Sequence, residues 1–210
     1  MTIESRRKIL EAAARVYAEC GFRGATTRRI AHEAGVNEVT LFRIFGSKAA
    51  LIAESLASGA LVDPRPALPD EPVDPEGELT RWAVVHLAHL RDARSLILKT
   101  LGELEERPEL ADCAKCGPLE SYRLVRGYLE RLRASGHVDA DVDPDAAAPL
   151  LLGTLFADAV GREFMPELYP VAPDGAAATY VRIFLRGIGY RRDQGAEARE
   201  RVAPLRSGAA

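Results

Sequence analysis

The sequence has few of the features that build disulfide frameworks, membrane spans or secretion signals. Its 210 residues include three cysteines, Cys20, Cys113 and Cys116. This odd number argues against a secreted disulfide framework. No apolar run approaches the ~20 residues needed to cross a bilayer, and the first residues lack a signal peptide's apolar stretch. These absences predict a cytoplasmic protein that does not contact a membrane.

Catalytic and metal-binding signatures are missing as well. The sequence has no G-x-S-x-G, no phosphate-binding loop and no H-E-x-x-H. Cys113 and Cys116 have the spacing of a redox pair or half a zinc site, but no second such pair accompanies them. His86 and His89 lie on one helical face without a carboxylate at matching spacing. We expect no enzymatic activity, no cofactor and no metal, with redox or metal sensing by the two cysteines as an alternative.

Positive charge is concentrated at the N-terminus. Residues 1–50 carry nine Lys or Arg and five Asp or Glu, a balance of +4. The remaining residues carry 19 basic and 26 acidic side chains, a balance of −7. A basic segment joined to an acidic one predicts a small polyanion-binding module attached to a body with another task.

Apolar residues recur at three- and four-residue spacing almost throughout, without an alternating strand pattern, which predicts an all-α fold of about nine helices. The predicted helices span roughly 4–20, 28–35, 37–44, 47–59, 76–92, 93–106, 117–135, 144–165 and 174–190. Five prolines within 62–76 predict an extended loop. The polar, Gly/Ala-rich tail, residues 192–210, is expected to be disordered.

The segment GVNEVTLFRIFGSK, residues 35–48, is too short and too mixed to build a core of its own. Two helices joined by a Gly-containing turn form a helix-turn-helix, whose second helix enters the DNA major groove. Val36, Leu41 and Phe45 would then face inward. The outward residues, expected to meet DNA, are Asn37, Glu38, Val39, Thr40, Phe42 and Arg43.

The longer segment TTRRIAHEAGVNEVTLFRIFGSKAALI, residues 26–52, resembles the DNA-binding head of the TetR family of bacterial transcriptional regulators. The shared elements are I-A-x-x-A-G-V, T-L-[YF], and the S-K pair that opens helix four. The resemblance implies a helix-turn-helix DNA-binding domain at 1–46 and a helical ligand-binding and dimerisation domain at 47–210. It also implies a repressor that binds a palindromic operator as a homodimer and is released by a small apolar effector. A helical interaction module that does not bind DNA is the competing class.

The resemblance assigns roles within the head. Thr27, Thr40 and Lys48 would contact phosphates, Arg28 would reach guanine, Glu38 would accept from a cytosine amine, and Val39 would touch a thymine methyl. The family usually has Tyr where Phe42 stands and His where Ile44 stands, so Arg43 would supply the lost contact. The predicted DNA-binding set is Thr26, Thr27, Arg28, Asn37, Glu38, Val39, Thr40, Phe42, Arg43 and Lys48.

For the body, the resemblance implies that the last two helices pair with those of a second copy. The predicted interface residues are Leu151, Leu155, Phe184, Leu185 and Ile188. Burial within the monomer is the alternative for both helices. The predicted ligand-binding residues are Trp82, His86, His89, Leu101, Tyr122 and Phe156, and for each of them plain core packing is the alternative.

Overall fold

A computed structural model of the protein describes residues 3–58 and 66–190, apart from the side chains of Ile3, Glu109 and Cys113. Within these ranges every regular element is helical, which confirms the predicted all-α fold. The α-helices are α1 Ile3–Gly24, α2 Thr27–Ala34, α3 Glu38–Phe45, α4 Lys48–Ala57, α5 Pro75–Asp92, α6 Arg94–Glu103, α7 Ala111–Ala114, α8 Cys116–Ala134, α9 Pro144–Gly161 and α10 Pro173–Gly187. Two short 3-10 helices span Pro108–Leu110 and Pro166–Leu168.

The predicted helix ends differ from the observed ones where proline or a short turn intervenes. The segment predicted to reach residue 106 ends at Glu103, shortly before the 3-10 helix at Pro108–Leu110. The segment predicted to reach residue 165 ends at Gly161, and a 3-10 helix starts at Pro166. Residues 66–74 of the Pro-rich segment are non-helical as predicted, but Pro75 already begins α5. Residues 59–65 and the predicted disordered tail lie outside the described residues.

Side-chain caps fix the starts of the three helices that follow α1. Thr26 accepts a hydrogen bond from the Arg29 amide at the start of α2. Asn37 accepts from the Val39 amide at 2.9 Å and caps the start of α3. Ser47 accepts from the Ala50 amide at 3.1 Å and caps the start of α4. Each cap supplies an acceptor for a helix amide that otherwise lacks one.

The first four helices share one apolar core. α1 packs against α2, α4 and α6, while α3 packs against α2 and α4. Because α2 and α3 have eight residues each, they depend on this packing for their stability. The buried core residues include Ile9, Leu10, Ala13, Val16, Tyr17, Ile30, Ala31, Leu41, Phe45, Leu51 and Ile52.

Helix α1 is interrupted at Gly21. The backbone there has φ 68° and ψ −178°, a conformation that residues with a side chain rarely adopt. A Cβ at this position would lie 2.7 Å from Oε1 of Glu103, so space is lacking as well. The predicted end of the first helix at residue 20 matches the position of this break, but one more helical turn follows, up to Gly24.

The chain divides into two compact units. The first lies within Met1–Pro64, Ala88–Ser121 and Ala159–Phe164, and the second within Arg65–Leu87, Tyr122–Asp158 and Met165–Ala210. The first unit therefore contains the predicted head together with α4 and α6. The predicted division into domains at residues 46 and 47 stays a prediction.

The second unit has a core with a polar centre. Tyr128 is fully buried and its hydroxyl donates to Oε2 of Glu78 at 2.6 Å. The amides of Val73 and Asp74 donate to Oε1 of the same carboxylate. Burial opposes ionisation of Glu78, but these hydrogen bonds outweigh it and hold its pKa below the usual range.

In the described part of the chain, no helix combines the length and apolar character that a membrane span requires.

Candidate nucleic-acid interface

Helix α3 has one buried face and one exposed face. Leu41 is 2% exposed and Phe45 8%, and both pack into the core of the head. On the opposite face Val39 is 71% exposed and Phe42 48%. These two large apolar side chains do not pack into the described core, so this face is available to a partner.

Two arginines beside this face have no partner among the described residues. Arg28 on α2 and Arg43 on α3 are exposed, and neither has an ion pair or hydrogen bond among the described residues. By contrast, Arg7 on α1 pairs with Glu11 at 2.6 Å. Unpaired guanidinium groups are suited to phosphate oxygens and to the O6 and N7 atoms of guanine.

Thr27 and Glu38 link the two helices of the helix-turn-helix. The Thr27 hydroxyl donates to Oε1 of Glu38 at 2.5 Å. Glu38 is the first residue of α3, where a carboxylate is also favoured by the helix dipole. The predicted base reader is thus oriented before any DNA is present, and the Thr27 hydroxyl predicted for a phosphate already has an acceptor.

Lys48, the predicted phosphate contact at the start of α4, is also held within the chain. Its Nζ donates to the backbone oxygen of Phe22 at 2.7 Å and lies 4.3 Å from the centre of the Phe22 ring. An ammonium group has three donors, so this contact leaves others for a second acceptor. The remaining predicted DNA-binding residues are the capping residues Thr26 and Asn37, and Thr40, which is half-buried on α3.

Residues 9–55, which span this head, match the model of the bacterial regulatory proteins of the tetR family. Over 189 residues the chain is 27% identical to the uncharacterized HTH-type transcriptional regulator YdeS of Bacillus subtilis strain 168, covering 83% of this chain and 91% of YdeS. The match over residues 9–55 identifies the head of the chain as a TetR-family DNA-binding domain.

Two further similarities fit this assignment. The HTH-type transcriptional repressor AcnR of Corynebacterium efficiens is 33% identical over 81 residues, which cover 33% of this chain and 43% of AcnR. The solved structure of the transcriptional regulator FadR from Bacillus subtilis in complex with stearoyl-CoA matches with a TM-score of 0.64 at 18% identity. That match covers 86% of this chain and 98% of FadR, and it shows that the two chains share a fold.

Among the predicted ligand-binding residues, Trp82 and His86 are in contact. Their rings stack with centroids 4.6 Å apart, and they are 0% and 7% exposed. The indole Nε1 of Trp82 is buried and has no hydrogen-bond acceptor among the described residues. A buried donor without an acceptor is costly, so this atom is the strongest indication of a ligand that the second unit offers.

Of the other predicted ligand-binding residues, Leu101, Phe156 and Tyr122 are placed less favourably for enclosing a ligand, whereas His89 has a buried nitrogen without a partner among the described residues, as Trp82 does. Leu101 is 50% exposed and Phe156 37%. The Tyr122 hydroxyl donates to Asp145, and this hydrogen bond raises the pKa of Tyr122. Nδ1 of His89 is buried without a partner in the described part of the chain. The predicted ligand set therefore stays a prediction, with Trp82, His86 and His89 as its best-supported members.

The predicted dimer residues lie mostly inside the single chain, and their role in an interface stays a prediction. Leu151, Leu155 and Leu185 are at most 1% exposed and Ile188 is 9% exposed, so all four belong to the core of the single chain. Phe184 is half-buried. Residues 150–152 are all leucine, so the sequence pattern does not indicate which side of α9 faces inward. The exposed residues of α9 between 146 and 157 include no charged side chain and are Ala146, Pro149, Leu150, Gly153, Thr154, Phe156 and Ala157.

The cysteine alternative is not favoured by the described side chains. Cys116 is exposed and its Sγ donates to the backbone oxygen of Asp112 at 3.3 Å. The side chain of Cys113 lies outside the described residues. Where side chains are described, no group of three or more His, Cys, Asp or Glu could hold a metal ion.

Sequence reasoning missed the residues that hold the end of α1. Oε2 of Glu103 on α6 accepts from the Tyr17 hydroxyl and Oε1 accepts from the Phe22 amide, each at 2.9 Å. The only sequence signal was Gly21, whose break creates the need for an acceptor. Nothing in the sequence indicates that the acceptor lies more than 80 residues away.

The two faces of α3 predict effects of very different size on stability. Leu41→Ala should lower the free energy of unfolding by about 2–5 kcal/mol, because it removes a fully buried side chain from the core. Val39→Ala should change it by less than about 0.5 kcal/mol, because Val39 is exposed. Denaturant unfolding of both variants checks this, and a large loss for Val39→Ala would mean that the outer face also packs within the chain.

Proposed function

We propose that the protein is a transcriptional repressor that binds a palindromic operator as a homodimer, through two copies of α3, and is released by a small apolar effector. The observation that carries the DNA-binding part is the exposed face of α3, with Val39 and Phe42 outward and the unpaired guanidinium groups of Arg28 and Arg43 beside it. A short helix held from behind and exposed in front has the geometry that reads a major groove. The similarity to the repressor AcnR supports repression over activation.

Within this proposal the head divides its contacts between phosphates and bases. Lys48, Thr40 and Arg43 contact phosphates, which orient α3 but carry no sequence information. Arg28 reads a guanine through paired hydrogen bonds, and Glu38, oriented by Thr27, accepts from a cytosine amine. Val39 meets a thymine methyl.

Dimerisation is assigned to the exposed faces of α9 and α10. An exposed helix face normally carries charged side chains, yet that of α9 carries none from 146 to 157. Leu150 on α9 is 67% exposed, and Ile183 on α10 is 63% exposed. Since one head covers one half-site, a second copy on this surface supplies the second head.

The effector is assigned to the surroundings of Trp82 and His86. The unpaired indole N–H calls for an acceptor, and the stacked rings suit an apolar body. FadR, which shares the fold, was solved with stearoyl-CoA. Long-chain acyl compounds are therefore the first class to test, with the emission of Trp82, the single tryptophan of the sequence, as the readout.

The DNA-reading role of Arg28 is tested on duplexes that the protein selects from a random-sequence library. Arg28→Ala should weaken binding to the selected duplex by roughly 1–3 kcal/mol per half-site, because a paired contact to guanine is lost. Its effect on a random duplex should be much smaller. Affinities by fluorescence anisotropy at fixed salt measure both.

Arg15→Ala is the matched control, because Arg15 is exposed on α1 and the substitution removes the same charge. It should affect selected and random duplexes equally. If Arg28→Ala also weakens both duplexes by the same factor, Arg28 contacts a phosphate and does not read sequence.

The dimer surface is tested with Leu150→Glu and Ile183→Glu. Each side chain is exposed in the single chain, so the variants should fold, but a second copy would bury an unpaired carboxylate at a cost of several kcal/mol (about 2–5). Both variants should sediment as monomers and bind the operator weakly. Val84→Glu, also at an exposed apolar residue but on α5, should remain dimeric. Persistent dimers in the first two variants would place the interface elsewhere.

A further inference from the structure

The end of α1 is held by a carboxylate from α6 that the proposed function does not use. Glu103 accepts hydrogen bonds from the Phe22 amide and the Tyr17 hydroxyl, both at 2.9 Å. These donors flank Gly21, where the helical backbone is broken. Burial, together with the bond to Glu103, raises the pKa of Tyr17 to about 12, so its hydroxyl stays protonated and donates at neutral pH.

Phe22 is fixed in turn to the start of α4. Its backbone oxygen accepts from Nζ of Lys48 at 2.7 Å, and its ring centre lies 4.3 Å from the same atom. The guanidinium of Arg107, one turn beyond Glu103, lies 3.7 Å from that ring. The amide, the carbonyl and the ring of Phe22 are therefore all engaged, and its position determines where the Lys48 ammonium lies.

We infer that Glu103 is a positioning residue for DNA binding, acting on Lys48 through Phe22. The inference rests on the proposed function, because it requires Lys48 to contact a phosphate. A free lysine side chain loses considerable rotamer freedom when it is ordered by a ligand. Because Phe22 already restrains the Lys48 side chain in the free protein, part of this entropy loss is avoided when DNA binds. The affinity for DNA therefore depends on Glu103, a residue of α6 that lies outside the helix-turn-helix.

A double-mutant cycle on the selected duplex tests this dependence. Glu103→Gln removes the charge and leaves one acceptor atom where the carboxylate has two, one for each donor. It should weaken binding about fivefold and reduce the slope of log affinity against log salt towards that of Lys48→Ala. In the Lys48→Ala background the same change should alter affinity by less than about twofold, because the group through which it acts is absent.

Glu105→Gln is the matched control. Glu105 is exposed two residues along the chain, and its substitution makes the same change in net charge. Removing a negative charge should leave DNA binding unchanged or slightly tighter. A loss of affinity in Glu103→Gln alone therefore cannot come from net charge.

Phe22→Leu provides a second route, because it removes the ring from Lys48 while keeping the amide for Glu103. It should also weaken binding in the wild-type background and have little effect in Lys48→Ala. If Glu103→Gln and Phe22→Leu weaken binding equally in both backgrounds, or not at all, the inference is overturned. The inference is also overturned if Lys48→Ala leaves the affinity for DNA unchanged. If the wild-type protein binds no duplex at all, the proposed function itself is overturned.

Discussion

Helix α3 is too short to be stable on its own, and this constraint determines the arrangement of the head. Eight residues give few internal hydrogen bonds against the cost of starting a helix. The helix is therefore fixed from behind by Leu41 and Phe45 and at its start by Asn37. Because these three residues carry the structural task, the outward positions are free to take side chains that suit a partner.

The same constraint explains why the head was predictable from the sequence and much of the body was not. Caps and the turn at Gly35 are local, so Thr26, Asn37 and Ser47 can be found within a few residues of the helices they start. Glu103 meets Phe22 across 81 positions, and that contact exists only through packing of α6 on α1. Residue spacing within one helix does not predict a contact over that sequence distance.

The body also shows how hydrophobic spacing fails on a strongly apolar helix. In α9 the positions at 150, 151 and 152 are all leucine, but Leu151 is buried and Leu150 is 67% exposed. Periodicity identifies the inward face only when the outward face is polar. For this reason the spacing did not show that Leu155, which was predicted for an interface, is buried in the core. The unpaired Nε1 of Trp82 could not be foreseen either, since hydrogen-bond satisfaction depends on neighbours distant in sequence.

Methylation interference on the selected duplex tests most directly the claim that α3 reads the major groove in two copies. Dimethyl sulfate methylates guanine at N7, in the major groove, and adenine at N3, in the minor groove, so one experiment distinguishes the grooves. The account predicts two symmetry-related clusters of interfering guanines, separated by about 10 base pairs or a multiple of that helical repeat. Interference confined to adenine N3, or a single cluster without a symmetric mate, would contradict it.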